Sequence, residues 1–100
     1  MNDTASNAAR DGEISRELKI SNKFGIHARP AAMFVKAASR YDSEVTVEKD
    51  GNAVSGKSIM GLMTLEASCG VRIKVTAKGP DAEKVVEALR ELIDSKFYED

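Results

Sequence analysis

The chain has 100 residues; 42% are apolar, 13 of those are alanine, and 15 basic against 16 acidic residues leave a formal charge of −1. That length fits one domain with a modest, close-packed core, and the balanced charge excludes nucleic-acid or membrane association driven by charge alone. The single cysteine, Cys69, and the single histidine, His27, exclude an intrachain disulfide, a Cys-rich zinc site and a multi-histidine metal site.

Residues 1–13 read MNDTASNAARDGE, small and polar, with no branched aliphatic or aromatic side chain. Such a segment cannot bury enough apolar surface to order itself, so a flexible extension is expected there, followed by one domain over 14–100. It also lacks the apolar core of a signal peptide. No apolar run approaches the roughly 20 residues of a membrane span. A cytoplasmic protein with no membrane contact is expected.

From Ile14 the pattern turns regular. Ile14, Arg16, Leu18 and Ile20 alternate with Ser15, Glu17 and Lys19, the period of a half-buried strand. Asn22 to His27 form a connection broken at Gly25. A helix is predicted from Ala28 to Tyr41, with Ala31, Phe34, Val35 and Ala38 on one apolar face. Pro30 falls in its first turn, where a missing N–H costs nothing. Val45 and Val47 alternate with Glu44, Thr46 and Glu48 in a second strand. Asp50-Gly51 is a short hairpin signal, and Asn52 to Ser55 return as a third strand.

Ser58 stands at the N-cap position of a short apolar helix, Ile59 to Leu65. Val71, Ile73, Val75 and Ala77 alternate with Arg72, Lys74 and Thr76 in a last strand. Gly79-Pro80-Asp81 opens a final helix whose apolar face is Ala82, Val85, Val86, Leu89 and Ile93, with Leu92 at its edge. Its charges, Glu83, Lys84, Glu87, Arg90 and Glu91, read as a solvated face. The order β-α-β-β-α-β-α, with one-sided strands, predicts an α+β fold: a two-layer α/β sandwich with an antiparallel sheet and three helices on one face. The other sheet face is expected to carry Ser15, Glu17, Lys19, Thr46, Glu48, Arg72, Lys74 and Thr76 into water.

His27 is the most informative residue. It stands at the junction of a loop and a helix, where first-turn N–H groups lack internal partners and can hold an anion. Arg29, two residues on, adds a fixed charge with a planar fork suited to phosphate oxygens. Imidazole is a nucleophile near neutral pH, with an ordinary pKa of about 6.5. A histidine so placed can accept a phosphoryl group and have the added charge stabilised. The bland alternative is a surface histidine at a helix start.

The run Gly25-Ile26-His27-Ala28-Arg29-Pro30-Ala31-Ala32 resembles the active-site signature of the HPr family, the histidine-containing phosphocarriers of the bacterial phosphoenolpyruvate-dependent phosphotransferase system. A second segment, Lys57-Ser58-Ile59-Met60-Gly61-Leu62-Met63-Thr64-Leu65, is similar to the family's regulatory serine segment. The resemblance runs from about Glu17 to Phe97. It implies a sheet of order 1-4-2-3, and a carrier that is not a turnover catalyst and needs no metal or cofactor. It implies that His27 is phosphorylated on Nδ1 by phospho-Enzyme I and passes the group to IIA-type acceptor proteins, with Arg29 stabilising the phosphate. Ser58 matches the serine modified by HPr kinase/phosphorylase, and Ile59, Met60 and Met63 match the patch that docks on Enzyme I and the acceptors. A monomer is expected. Phe24 departs from the Ser or Asn of many sugar-transport members and is similar to HPr and NPr variants from mainly regulatory systems.

Each of these residues has a structural reading as well. Ser58 is a natural helix N-cap. Ile59, Met60, Leu62 and Met63 cannot all be buried by so short a helix, so two or three are expected outside, and Met suits surfaces that accept several partners. Cys69 reads as a small buried or loop residue without a partner that would activate it. A rival enzyme reading comes from Gly51-Asn52-Ala53-Val54-Ser55-Gly56-Lys57-Ser58, which fits the nucleotide-binding pattern GxxxxGK[ST]. It is set aside because the segment reads better as a hairpin and short strand. The chain also lacks parallel βαβ units, and no later strand ends in a magnesium-binding Asp. A regulatory binding module without phosphoryl transfer is the other rival, and His27 argues against it.

Overall fold

A computed structural model describes residues 12–99. The expected extension over residues 1–13 lies, as far as residue 11, outside the described residues. The elements are β1 (Glu13–Lys19), α1 (Ala28–Ala38), β2 (Glu44–Lys49), β3 (Asn52–Ser55), α2 (Ile59–Thr64), β4 (Arg72–Lys78) and α3 (Ala82–Asp94), closed by a short turn, Lys96–Tyr98. The strands form one sheet of order β1-β4-β2-β3, antiparallel at every pairing.

β1 begins one residue before the expected domain start. Glu13 pairs with Lys78, and the Gly79 N–H donates to the Gly12 carbonyl at 2.9 Å, so the backbone pairing runs past Ile14. The register places Lys78 between Glu13 and Glu44, and Lys74 between Glu17 and Glu48. Opposite charges thus face each other across the solvated side. Between these rows the Ser15 and Thr76 hydroxyls hydrogen-bond at 2.8 Å.

The other face carries Leu18, Ile73, Val75, Ala77, Val45 and Val47, all buried. Arg16 shares that side with Ile14 and Leu18 by parity but is exposed. It lies on an edge strand, and its charge acts on Glu87 of α3; a charge on the inner side of an edge strand also discourages further strand pairing. The helices cover this face with Phe34 from α1, Leu62 from α2 and Val85, Val86, Leu89 and Ile93 from α3. The face expected for α3 is buried throughout, including Leu92.

α1 stops at Ala38 and not at Tyr41. The Arg40 and Tyr41 N–H groups bond only three residues back, to Ala37 and Ala38. The next two, Asp42 and Ser43, donate at 2.9 Å each to the Asp81 carboxylate at the start of α3. A partner far along the chain pulls these N–H groups out of the helix. Val35, expected on the buried face, is only half-buried.

Between β2 and β3, Asp50 and Gly51 both have positive φ, 52° and 85°. This is the primed two-residue turn that matches strand twist. Asn52–Ser55 is therefore a strand paired to β2 and not a phosphate cradle.

Candidate functional site

The site is built where the β1–α1 connection meets the C-terminal turn. Gly25 has φ +68°, and a Cβ there would lie 2.3 Å from the Ala67 carbonyl oxygen and 2.7 Å from the Ser68 Cα. Only glycine fits both the conformation and the space. The loop is pinned there by the Ile26 N–H donating to Ala67 at 2.9 Å. His27 follows in extended conformation as the N-cap of α1, with its side chain making no capping bond. The ring is thereby left for other partners. Pro30 is buried in the first turn, and the Ala28 and Arg29 N–H groups precede the first internal bond, Ala31 N–H to His27 carbonyl at 2.9 Å.

His27 is 43% exposed in its side chain, and its Nε2 lies 3.1 Å from Glu99 Oε2. Arg29, 59% exposed, brings Nη1 to 3.5 Å from the same oxygen. The other carboxylate oxygen, Oε1, accepts from Asn22 Nδ2 at 2.9 Å, and that amide also donates to the Gly25 carbonyl at 2.8 Å. The Asn22 bond is the largest influence holding the Glu99 carboxyl below the ordinary glutamate range; His27 and Arg29 add to it against partial burial. The Phe24 ring stands edge-on to His27, centroids 6.2 Å apart, and Lys23 Nζ lies 5.4 Å from the Phe24 centroid.

This arrangement has a definite chemical capacity. A carboxylate on Nε2 favours the tautomer with the proton on that nitrogen, and Nδ1 then carries the lone pair. Arg29 and the first-turn N–H groups of α1 supply positive potential beside it. A nucleophile next to a helix start and an arginine is chemically able to take up a phosphoryl group.

Residues 14–95 match the family described as PTS HPr component phosphorylation site. The phosphocarrier protein HPr of Treponema pallidum is 39% identical over 87 residues, covering 87% of this chain and 99% of that protein. The chain belongs to the HPr family. An HPr crystal structure from Thermoanaerobacter tengcongensis superposes with a TM-score of 0.84 at 48% identity, covering 87% of this chain and 98% of that one. The HPr-like protein Crh of Bacillus subtilis is 43% identical over 76 residues, covering 76% of this chain and 89% of that protein. The fold expected from the HPr resemblance, with its strand order, is the fold observed. As a member of the HPr family, the chain is a phosphocarrier of the phosphotransferase system and not a turnover enzyme.

Of the residues the sequence singled out, the structure brings His27 and Arg29 together on one carboxylate. Ser58 caps α2, its Oγ accepting from the Gly61 N–H at 2.9 Å. Within α2, Leu62 is fully buried, while Ile59, Met60 and Met63 are 40%, 77% and 42% exposed. α2 packs beside α1. Cys69 lies exposed in the loop before β4. Sequence reasoning missed Glu99, which contacts His27, and Asn22, which holds Glu99. Neither belongs to the signature, and 77 residues separate them.

Proposed function

We propose that His27 accepts a phosphoryl group on Nδ1 from phospho-Enzyme I and hands it to a IIA-type acceptor protein. The observation that carries this reading is the 3.1 Å contact of Nε2 with Glu99, which leaves Nδ1 as the ring nitrogen that the carboxylate does not engage. Arg29 stabilises the incoming charge. Ile59, Met60 and Met63 form the apolar docking patch, and phosphorylation at Ser58 by a kinase of the HPr kinase/phosphorylase type regulates transfer. A phosphate on Ser58 adds about two negative charges beside that patch and slows encounter with an acidic partner.

The test is incubation with phosphoenolpyruvate, magnesium and Enzyme I, followed by intact-mass and acid-lability analysis. The expected product carries one acid-labile phosphate, absent from His27→Ala. An acid-labile phosphate on His27→Ala would overturn the reading.

A further inference from the structure

Among the described residues, Asn22 is the one side-chain amide in the interior, 1% exposed. Its two N–H bonds are spent on two acceptors, the Gly25 carbonyl at 2.8 Å and Glu99 Oε1 at 2.9 Å. Because both partners only accept, the amide nitrogen must face them, and Oδ1 is left buried without a hydrogen-bond partner among the described residues. An interior acceptor without a partner is a cost that apolar packing would avoid. The carboxylate it grips arrives by a costly route too. Lys96, Phe97 and Tyr98 all have positive φ, 58°, 54° and 58°, a conformation unfavourable for residues with a Cβ. Phe97, fully buried, holds that turn in place. Two locally unfavourable features thus converge on one result: a carboxylate set against His27.

We propose that Asn22 is a positioning residue for phosphoryl transfer, clamping Glu99 so that its second oxygen holds the proton on His27 Nε2 and Nδ1 is presented as the nucleophile. The clamp rests on the reading of His27 as the acceptor. In the step, the Nδ1 lone pair attacks phosphorus and forms the new N–P bond. The bond from phosphorus to the donor's phosphohistidine nitrogen breaks, and its electron pair returns to the donor ring. Nε2 keeps its proton throughout, so the imidazolium formed on transfer is balanced by Glu99. Asn22 also ties that carboxylate to the Gly25 carbonyl, two residues before His27, so the loop and the C-terminal turn move as one unit. Arg29, at 3.5 Å from Oε2, keeps donors free for the phosphoryl oxygens.

The test is a cycle of the parent, Asn22→Ala, Glu99→Ala and the double variant. Nitrogen NMR of the His27 ring reads its tautomer, carboxyl NMR reads the Glu99 titration, and phosphorylation from phosphoenolpyruvate and Enzyme I gives the rate. Asn22→Ala is expected to move the Glu99 midpoint up toward the ordinary glutamate range and to raise the Nδ1-protonated fraction. The rate should fall roughly tenfold, as for a mispositioned reacting group. In the Glu99→Ala background it should leave the tautomer unchanged and cost much less in rate, the remainder being the Gly25 bond. An unchanged tautomer and Glu99 midpoint in folded Asn22→Ala overturn the clamp, as does an equal rate loss with or without Glu99. Should the alanine variant not fold, Asn22→Ser keeps one donor for Gly25, releases Glu99 and is read by the same criteria. The NMR readouts involve no phosphate, so the two readings fail separately. If the parent takes no phosphate on His27 while the tautomer responds as described, the carrier reading falls and the clamp on the imidazole stands.

Discussion

Gly25→Ala should be far more damaging than its size suggests, and the cause can be isolated. A residue with a Cβ at φ +68° costs about 1–2 kcal/mol over glycine. The new methyl would also sit 2.3 Å from the Ala67 oxygen and 2.7 Å from the Ser68 Cα. Both are backbone atoms, so no side chain can rotate away. Opening that contact strains the packing by about 1–3 kcal/mol and stretches the Ile26 to Ala67 hydrogen bond, worth about 1 kcal/mol. The sum is about 4 kcal/mol, a large share of the roughly 5–15 kcal/mol that holds a small domain together. Gly51→Ala is the control: φ is +85° but nothing lies within 4 Å of the added carbon, so only the conformational cost of about 1–2 kcal/mol applies. Urea unfolding of both variants gives the two values directly. Equal losses would refute the steric argument and the claim that Ala67 and Ser68 seat the His27 loop.

Met60→Glu should leave stability within about 0.5 kcal/mol while weakening Enzyme I binding in calorimetry, whereas Leu62→Glu, at a fully buried position of the same helix, should prevent folding as judged by circular dichroism. Ser58→Ala should lose about 1 kcal/mol of cap energy in thermal unfolding and keep near-normal transfer; Ser58→Asp should keep the cap but slow phosphorylation of His27 at low salt. Asp81 is held below the ordinary aspartate pKa of 3.8, first by the Ser43 hydroxyl and then by the Asp42 N–H. A lowered folded pKa gives stability that is present above 3.8 and lost as pH falls through the folded value, so the acid limb of melting temperature against pH should be flatter in Asp81→Asn.

Most of the fold was legible because its signals are local. Strand alternation, the Asp50-Gly51 turn, the Ser58 cap and the apolar stripe of α3 each lie within a few residues of what they determine. Two of the misreadings share one cause, a partner distant in the chain. α1 ends early because Asp81, 38 and 39 residues on, takes the Ser43 and Asp42 N–H groups. Arg16 reads as part of an apolar face, yet it lies on an edge strand beside Glu87. The site divides the same way. His27 and Arg29 are visible as a motif on one helix start. Glu99 reaches His27 across 72 residues, through a turn of Lys, Phe and Tyr, residues with no preference for positive φ. No local pattern announces it.

The nucleotide-binding look-alike shows how a pattern is satisfied for unrelated reasons. Gly56 is glycine because a Cβ there would meet Val45 Cγ1 at 2.5 Å and Phe34 Cε1 at 3.3 Å, so β3 could not turn toward α2 over the core. Lys57 Nζ donates to the Tyr41 carbonyl at 2.8 Å, joining this segment to the chain just beyond α1. Ser58 Oγ accepts from Gly61 and starts α2. Packing, cross-linking and capping thus account for Gly, Lys and Ser in turn, and none of them faces a shared phosphate. The same assignment bears on control of the carrier. The Ser58 oxygen acts in the fold as an acceptor, and a phosphate ester supplies more acceptors at a helix start whose N–H groups and dipole favour negative charge. The modification proposed there is compatible with the folded chain and would act on the surface beside it, where Met60 and Met63 stand exposed.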